Sequence, residues 1–223
     1  MRRRTIVCYG DSNTWGVIAG SPGGLMQRYP WERRWPGVLQ EVLGERFRVI
    51  EEGLRGRTTE LDDPVDGGHK NGLTYLLPCL ESHQPINWVV IFLGINDLKA
   101  RFGRRAEQVA SGIETLIGVV LTSSTGPNRR PPEVLAVSPP PISPRRELLP
   151  VFGDAQDRAR GLEDAIQRVS ERRGVACLRT SGFLQPNARD GIHLDEEGHR
   201  LLGERISSII AGCQGRHAQL RDG

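Results

Sequence analysis

The chain has 223 residues, of which 37% are hydrophobic and 26% charged, and 30 Lys and Arg against 27 Asp and Glu leave a formal net charge of +3. These values are typical of a globular protein with one substantial core, while 5% aromatic residues and dispersed arginines argue against a nucleic-acid partner. The four cysteines form no C-x-x-C pair, which argues against a disulfide scaffold or a metal site. Neither a run of about 18 apolar residues nor an apolar leader is present, so we expect a cytoplasmic protein with no membrane partner.

Short apolar runs alternate along the chain with segments of helical periodicity. The apolar runs predict strands at 5–9, 47–50, 88–93, 134–138 and 175–178. Apolar stripes with the period of a helix occur at 109–120, 159–169 and 202–209, and Asp195 is placed to cap the last helix. This alternation predicts a parallel sheet covered on both faces, with the wholly apolar run 88–93 at its centre. We expect one domain over 1–211 and a frayed polar tail over 212–223.

Residues with reactive side chains directly follow several of these predicted strands. In such a sheet, ligands bind beyond the carboxyl ends of the strands, where the strand order reverses. The stretches at these ends are Gly10-Asp11-Ser12, a second loop that contains Gly53 and Gly56, Gly94-x-Asn96-Asp97, and Asp190-x-x-His193 before the last helix. A serine, glycine-containing turns, an asparagine and an Asp/His pair at one edge of a sheet are the groups that acyl transfer requires.

The spacing of these residues indicates a role for each. Histidine takes up and returns a proton near neutral pH, so His193 is the expected base for Ser12. Asp190, three residues upstream, can fold back against Nδ1 of His193 and leave Nε2 facing Ser12. The N–H of Ser12, a glycine N–H of the second loop and the Asn96 side chain are expected to hold the oxyanion. The alternatives are a turn serine at 12, a capping asparagine at 96 and a glycine needed only for a positive φ at 56.

The four stretches resemble the four sequence blocks of the SGNH hydrolases, the GDSL esterases and lipases, and they occur in the order of that family. Gly10-Asp11-Ser12 is similar to the nucleophile block, and Gly56 stands where the family has its oxyanion glycine. The resemblance implies a three-layer α/β/α fold with a flavodoxin-like parallel sheet of about five strands. It also implies a catalytic triad of Ser12, Asp190 and His193, with neither metal nor cofactor.

A closer resemblance is to the short-acyl arylesterase and acyltransferase branch, in stretches such as 8–12, 49–54, 57–64 and 138–141. It implies hydrolysis of small esters, acyl transfer to alcohols or hydrogen peroxide, and self-association that narrows the pocket entrance. The implied substrate pocket consists of Asp11, Asn13, Trp15, Lys99, Phe152 and Ile192. Asn13 replaces the leucine of G-D-S-L and Arg55 replaces a small residue, so we expect a pocket of altered polarity.

Other functions fit the same residues less fully. A carbohydrate or cell-wall O-acetyl esterase would use the same triad in a more open pocket. A non-catalytic binding protein would keep the fold and lose the triad. An α/β-hydrolase would need glycine in place of Thr14 to complete G-x-S-x-G.

The remaining polar residues are expected to have structural roles. The histidines at 69, 83, 199 and 217 have no partners at metal-ligand spacing, so we expect them to be exposed. Asp97 is expected to cap the turn that follows it. The acidic pairs Glu51-Glu52 and Asp62-Asp63 are expected to cap loops and balance nearby arginines.

Overall fold

The computed structural model describes residues 3–20 and 27–219, with side chains described as far as residue 213. Within these ranges, five strands form one sheet. They are β1 (Arg4–Gly10), β2 (Phe47–Gly53), β3 (Trp88–Phe92), β4 (Glu133–Val137) and β5 (Ala176–Leu178). All neighbouring strands are parallel, in the order β2-β1-β3-β4-β5. Every residue of β3 is buried, which confirms its predicted central place.

Helices cover both faces of this sheet. Those of α type in the described ranges are α1 (Ser12–Trp15), α2 (Trp35–Leu43), α3 (Gly72–His83), α4 (Ala106–Thr122), α5 (Leu149–Phe152), α6 (Ala155–Arg158), α7 (Leu162–Arg173) and α8 (Glu196–Gln219). The buried side chains of α2 and α8 belong to one apolar core, on one face of the sheet. The buried side chains of α3, α4 and α7 belong to the other core, on the opposite face. The predicted three-layer arrangement with five parallel strands is confirmed.

The sheet separates the two apolar cores, and β1 contributes to both. Its residues Ile6 and Cys8 enter the core that contains Trp35, whereas Val7 and Tyr9 enter the opposite core. Successive side chains of a strand point to opposite faces, so a strand covered on both sides must be apolar throughout. The continuous apolar runs in the sequence therefore reflect burial from two directions.

The order of the strands creates a cleft at the carboxyl edge of the sheet. The chain passes from β1 outward to β2 and then returns past β1 to β3. The loops that follow β1 and β3 consequently leave the sheet toward opposite sides, which opens a space between them. Ser12 follows β1 and Asn96 follows β3, so both stand at this edge.

The last helix begins as predicted and continues further than predicted. Asp195 Oδ1 accepts a hydrogen bond from the N–H of Gly198 at 2.8 Å, which confirms the cap. The backbone of α8 runs on to Gln219, so positions 212–219 of the expected frayed tail are helical, and 220–223 lie outside the described residues. No helix in the described ranges combines the length and the apolar character needed to span a bilayer.

The expectation of exposed histidines is wrong for His199. Its side chain is fully buried, and its Nδ1 accepts a hydrogen bond from the N–H of Trp35, the first residue of α2, at 3.4 Å. Tyr29 packs edge-on against the imidazole, with 5.3 Å between ring centroids. Burial lowers the pKa of His199 to about 3. Of the other three, His69 is exposed, His83 is half-buried, and the side chain of His217 lies outside the described residues.

Candidate active site

Ser12 is the first residue of α1 and follows β1 after a single residue, Asp11. The carboxylate of Asp11 accepts a hydrogen bond from the N–H of Asn13 at 2.9 Å and so caps this short helix. The strand end and the helix start together fix the backbone of Ser12. Its side chain lies at the cleft, where the residue is 8% exposed.

The imidazole of His193 lies between Ser12 and Asp190. Its Nε2 is 3.0 Å from Ser12 Oγ, and its Nδ1 is 2.7 Å from Asp190 Oδ2. The other carboxylate oxygen of Asp190 accepts hydrogen bonds from the N–H groups of Ile192 and His193 at 2.9 and 3.0 Å. The structure therefore brings together the three residues of the predicted triad, although 181 positions separate Ser12 from His193.

Gly191 permits the tight turn that carries the Asp190–His193 pair. Its φ is +70°, and a Cβ atom there would lie 1.7 Å from the carbonyl oxygen of Ser143. The same segment fixes the turn from outside, because Ser143 N–H donates to Gly191 O and Arg145 N–H donates to Asp190 O, both at 2.9 Å. Only glycine tolerates both the backbone conformation and this close approach.

The environment of Asp190 keeps this carboxylate ionised. Burial alone would raise the pKa of Asp190, but hydrogen bonds and the charge of His193 outweigh that effect and bring it below the ordinary value. An ionised Asp190 accepts a hydrogen bond from Nδ1–H, which leaves the lone pair of Nε2 directed at Ser12.

Potential oxyanion donors surround Ser12. Among the described residues, the N–H groups of Ser12 and Gly56 donate to no protein acceptor. Gly56 has a φ of +78°, a left-handed backbone conformation that favours glycine. A conformational reason for glycine at this position therefore exists beside the proposed oxyanion role. The amide nitrogen of Asn96 donates to Arg57 O at 3.1 Å and to Asp11 Oδ2 at 3.3 Å, which links the loops after β1, β2 and β3.

Two buried carboxylates support these loops. Burial raises the pKa of Asp11 to about 6, despite the hydrogen bond from Asn13. Burial likewise raises the pKa of Asp97 to about 7. The prediction that Asp97 caps its own turn is wrong, because its carboxylate instead accepts hydrogen bonds from Thr59 Oγ1 at 2.5 Å and Thr59 N at 3.0 Å. It thereby fixes the loop after β2 against the loop after β3.

Asn13, predicted to line the substrate pocket, binds the backbone on both sides of His193. It is 1% exposed. Its side-chain oxygen accepts from Leu194 N–H at 2.8 Å, and its nitrogen donates to Ile192 O at 3.3 Å. The residue next to Ser12 therefore holds the segment that carries the imidazole. The sequence identified the position of Asn13 but not these partners.

Lys99, another predicted pocket residue, belongs to an ion-pair cluster that the sequence did not reveal. The residue is 4% exposed, and its Nζ contacts Asp63 at 3.0 Å and Asp66 at 2.8 Å. The same two carboxylates bind Arg101 at 2.5 and 2.6 Å. Lys99 Nζ lies close to Gly56, since a Cβ built on that glycine would be 3.6 Å away. The acidic loop 62–66 is thus fastened beside the predicted oxyanion glycine. Of the acidic pair Asp62-Asp63, Asp63 belongs to this cluster, whereas Asp62 accepts a hydrogen bond from the side chain of Asn71 at 2.9 Å.

The remaining predicted pocket residues have contrasting surroundings. Phe152 and Ile192 are 4% and 2% exposed and belong to the same apolar core. The ring of Trp15 is contacted by two guanidinium groups, with Arg28 at 4.7 Å and Arg55 at 5.1 Å from the ring centroid. Arg55, noted in the sequence as a departure, therefore places positive charge beside Trp15.

Arg158 was not predicted to take part in the site, yet it anchors the loops next to it. The residue is 7% exposed, and its guanidinium donates to the carbonyl oxygens of Leu98, Phe152 and Arg104 at 2.8 to 2.9 Å. Asp154 accepts a further hydrogen bond at 2.6 Å. Arg158 thus joins the segment of Lys99 to the segment of Phe152, a role for which the sequence contained no signal.

Known proteins are similar to this chain in both sequence and fold. The sequence matches the GDSL-like lipase/acylhydrolase family over residues 8–201. Est24, a carbohydrate acetylesterase from Sinorhizobium meliloti, is 37% identical, with a TM-score of 0.89 over 95% of this chain and 100% of that one. The inhibitor-bound aryl esterase of M. smegmatis is 35% identical, with a TM-score of 0.88 over 94% and 99% of the two chains.

A further carbohydrate acetylesterase family member from Sinorhizobium meliloti is 32% identical, with a TM-score of 0.87 over 95% of this chain and 99% of that one. The comparison with curated proteins gave no match. The chain covers nearly all of each related structure, so the similarity concerns the whole fold. The protein belongs to the GDSL-like lipase/acylhydrolase family and is a carboxylic ester hydrolase with the SGNH fold.

Proposed function

We propose that the protein is a serine esterase for small, short-acyl esters and that Ser12 is its nucleophile. The observation that carries this proposal is the continuous contact from Ser12 Oγ to His193 Nε2 at 3.0 Å and from His193 Nδ1 to Asp190 Oδ2 at 2.7 Å. A nucleophile, a base and a group that orients the base are thereby in hydrogen-bond contact. This arrangement suits a double-displacement reaction through an acyl-enzyme.

In the proposed reaction, Nε2 of His193 accepts the proton of Ser12 as Oγ forms a bond to the ester carbonyl carbon. The carbonyl oxygen becomes an oxyanion, for which the N–H groups of Ser12 and Gly56 are the proposed donors, together with the Asn96 amide, which exchanges its 3.3 Å hydrogen bond to Asp11 for one to the oxyanion. The bond to the leaving alcohol then breaks, and His193 returns the proton to that oxygen. A water molecule attacks the acyl-enzyme by the same route and regenerates Ser12.

Two features support a short acyl group. The proposed pocket residues Phe152 and Ile192 are almost fully buried in the apolar core, so they offer a wall with little freedom to move aside. Related structures at 35 to 37% identity are an aryl esterase and a carbohydrate acetylesterase, of which the second is named for an acetyl ester. Both the buried pocket wall and the acetyl ester in that name favour a small acyl group.

The second candidate function is hydrolysis of acetylated sugars. It is favoured by the 37% identity to Est24, described as a carbohydrate acetylesterase. The two functions differ in the leaving group, which would be an aromatic ring or a polar sugar. A comparison of kcat/KM for an aryl acetate and an acetylated monosaccharide separates them, since the better substrate identifies the leaving group that the cleft accommodates.

The decisive test of the nucleophile is Ser12→Ala. We expect kcat on a short aryl ester to fall by about 10⁴-fold or more. A fluorophosphonate should label the wild-type protein on the peptide that contains Ser12 and leave the variant unlabelled. Ser138→Ala is the matched control, because Ser138 follows β4 at the same sheet edge but its hydroxyl donates to Glu163 at 2.9 Å. Retention of most ester turnover by Ser12→Ala would refute the assignment.

We further propose that the acyl-enzyme passes its acyl group to alcohols or hydrogen peroxide as well as to water. The support is the resemblance to the arylesterase and acyltransferase branch. A short aryl ester supplied with a small alcohol should yield the new ester, and free acid as the sole product would refute the transfer.

Self-association and a cytoplasmic location stay predictions. A second copy of this chain is the partner that we propose for the two long loops after β2 and β4, because Val65 and Leu149 there are 72% and 53% exposed. Light scattering measures this directly, and a monomer at micromolar concentration would contradict it.

A further inference from the structure

Three side chains with metal-binding groups converge on the side of the sheet that carries α3. They are Glu52, next to the last residue of β2, and Cys79 and His83 in α3. One potential ligand atom from each lies within 4.8 Å of the other two. His83 Nε2 is 2.7 Å from Glu52 Oε1. Within the part of the chain whose side chains are described, this is the one such group of three.

The backbone explains why these groups meet. Cys79 and His83 are four residues apart in α3, and side chains at this separation lie on the same face of a helix. Glu52 comes from β2, whose Ile50 packs against the same apolar core as Cys79, so a strand and a helix provide the ligands. The C-x-x-x-H spacing of Cys79 and His83 is the signal in the sequence for this pair, and the expectation that the histidines lack partners at metal-ligand spacing did not include it.

The chemistry of the three groups favours a particular kind of ion. A thiolate, an imidazole and a carboxylate together suit Zn²⁺ and similar divalent transition metals, whereas Ca²⁺ and Mg²⁺ require oxygen ligands throughout. Zn²⁺ bonds of about 2.0–2.3 Å place neighbouring ligand atoms of a tetrahedral site about 3.3–3.8 Å apart.

Access to the cluster is also available. The side chains of His83 and Glu52 are 24% and 18% exposed, while Cys79 is only 1% exposed and lies beneath them. A cavity of about 480 Å³ borders Glu52. Other residues around this cavity are Arg57, His69, Asn71, Thr74 and Tyr75.

The carboxylate of Glu52 contacts both of the other groups, since it lies 2.7 Å from His83 Nε2 and accepts a hydrogen bond from the Cys79 thiol. We propose that Glu52, Cys79 and His83 form a binding site for Zn²⁺ or a similar divalent transition metal. On binding, the S–H bond of Cys79 breaks, its proton passes to solvent, and the sulfur electron pair forms the bond to the metal. The charges of the thiolate and carboxylate then balance the ion. This proposal does not depend on the esterase reaction.

The test is a titration of the purified full-length protein with Co²⁺, whose bond to a thiolate gives a charge-transfer absorption in the near ultraviolet. We expect one Co²⁺ per chain with this absorption, and its displacement by Zn²⁺, which binds N, O and S sites more tightly than Co²⁺. Absence of the thiolate absorption from the wild-type protein would overturn the proposal.

Variants assign the ligands. Cys79→Ser should abolish the absorption and weaken Co²⁺ binding by at least about tenfold. The matched control is Cys177→Ser, since Cys177 is a partly buried free cysteine in β5 and its loss should leave the absorption unchanged. Undiminished absorption in Cys79→Ser would refute the site. Should that variant not fold, His83→Ala decides the question, because an unchanged Co²⁺ affinity in His83→Ala is equally incompatible with the proposal.

Discussion

The side chain of Asn13 accepts a hydrogen bond from the backbone N–H of Leu194 at 2.8 Å, across 181 positions of sequence. The same carboxamide donates to the carbonyl oxygen of Ile192 at 3.3 Å, so it engages both neighbours of His193. Because Asn13 follows Ser12 directly, the spacing between the proposed nucleophile and its base depends on a side chain that touches neither. The departure from G-D-S-L therefore changes how the imidazole is held.

Asn13→Leu should lower kcat for a short aryl ester by about tenfold to a hundredfold, with little change in KM. The substitution leaves the N–H of Leu194 and the carbonyl of Ile192 without their partner, and a small displacement of His193 is costly to proton transfer. Asn13→Asp is the matched control, because it retains the acceptor for Leu194 and should lose less activity. Equal turnover by Asn13→Leu and the wild-type protein would contradict this positioning role.

Asn96→Ala should lower kcat by about 10²-fold or more if its amide holds the oxyanion. Asn87→Ala is the control, since Asn87 lies just before the other end of β3 and its side-chain oxygen accepts only from Thr5 N–H, at 2.9 Å, among the described residues. That variant should lose stability without a comparable loss of kcat. A decrease of much less than tenfold for Asn96→Ala would remove the oxyanion role.

His199 should make the fold less stable in acid. An imidazole in the unfolded chain takes up its proton near pH 6.5, whereas burial lowers the pKa of folded His199 to about 3. Between these values the unfolded state binds more protons, so the free energy of unfolding falls as the pH falls. From pH 7 to pH 5 this one group should reduce it by about 2 kcal/mol.

Urea unfolding at the two pH values measures this effect. In His199→Asn, whose Oδ1 can take the place of Nδ1 as acceptor for Trp35, the difference between pH 7 and pH 5 should shrink by about 2 kcal/mol. The exposed His69 supplies the control, and His69→Asn should retain the full difference. The same pH dependence in His199→Asn as in the wild-type protein would show that His199 is not responsible.

Arg158→Met should destabilise the protein by about 3 kcal/mol or more, as judged from the free energy of unfolding in urea. The substitution leaves the buried carbonyl oxygens of Leu98 and Phe152 and the partly buried carbonyl oxygen of Arg104 without their donor. Arg158→Lys can restore only part of this set, because an ammonium lacks the planar fork of a guanidinium, and so its loss should be intermediate. A loss below about 1 kcal/mol for Arg158→Met would mean that the carbonyl groups find other donors.

The sequence by itself determined the architecture and indicated the candidate triad of Ser12, Asp190 and His193. Strands buried on both faces must be apolar throughout, and amphipathic helices alternate with them, so the five strands of the sheet could be located from the pattern of apolar and polar residues along the chain. The contact between Asp190 and His193 was equally accessible, because it forms within one turn of three residues. Local patterns of this kind depend on neighbours in sequence.

The tertiary structure alone decided which distant groups meet. His199 is buried against Trp35, 164 residues away. Asn13 hydrogen-bonds to the backbone on both sides of His193, 179 to 181 residues away. Lys99 pairs with Asp63, 36 residues away. No pattern within the sequence encodes such pairs, since each depends on the packing angle between elements that the chain reaches separately. Side-chain burial and hydrogen-bond partners, and hence the electrostatics of the site, are set only when those elements are in contact.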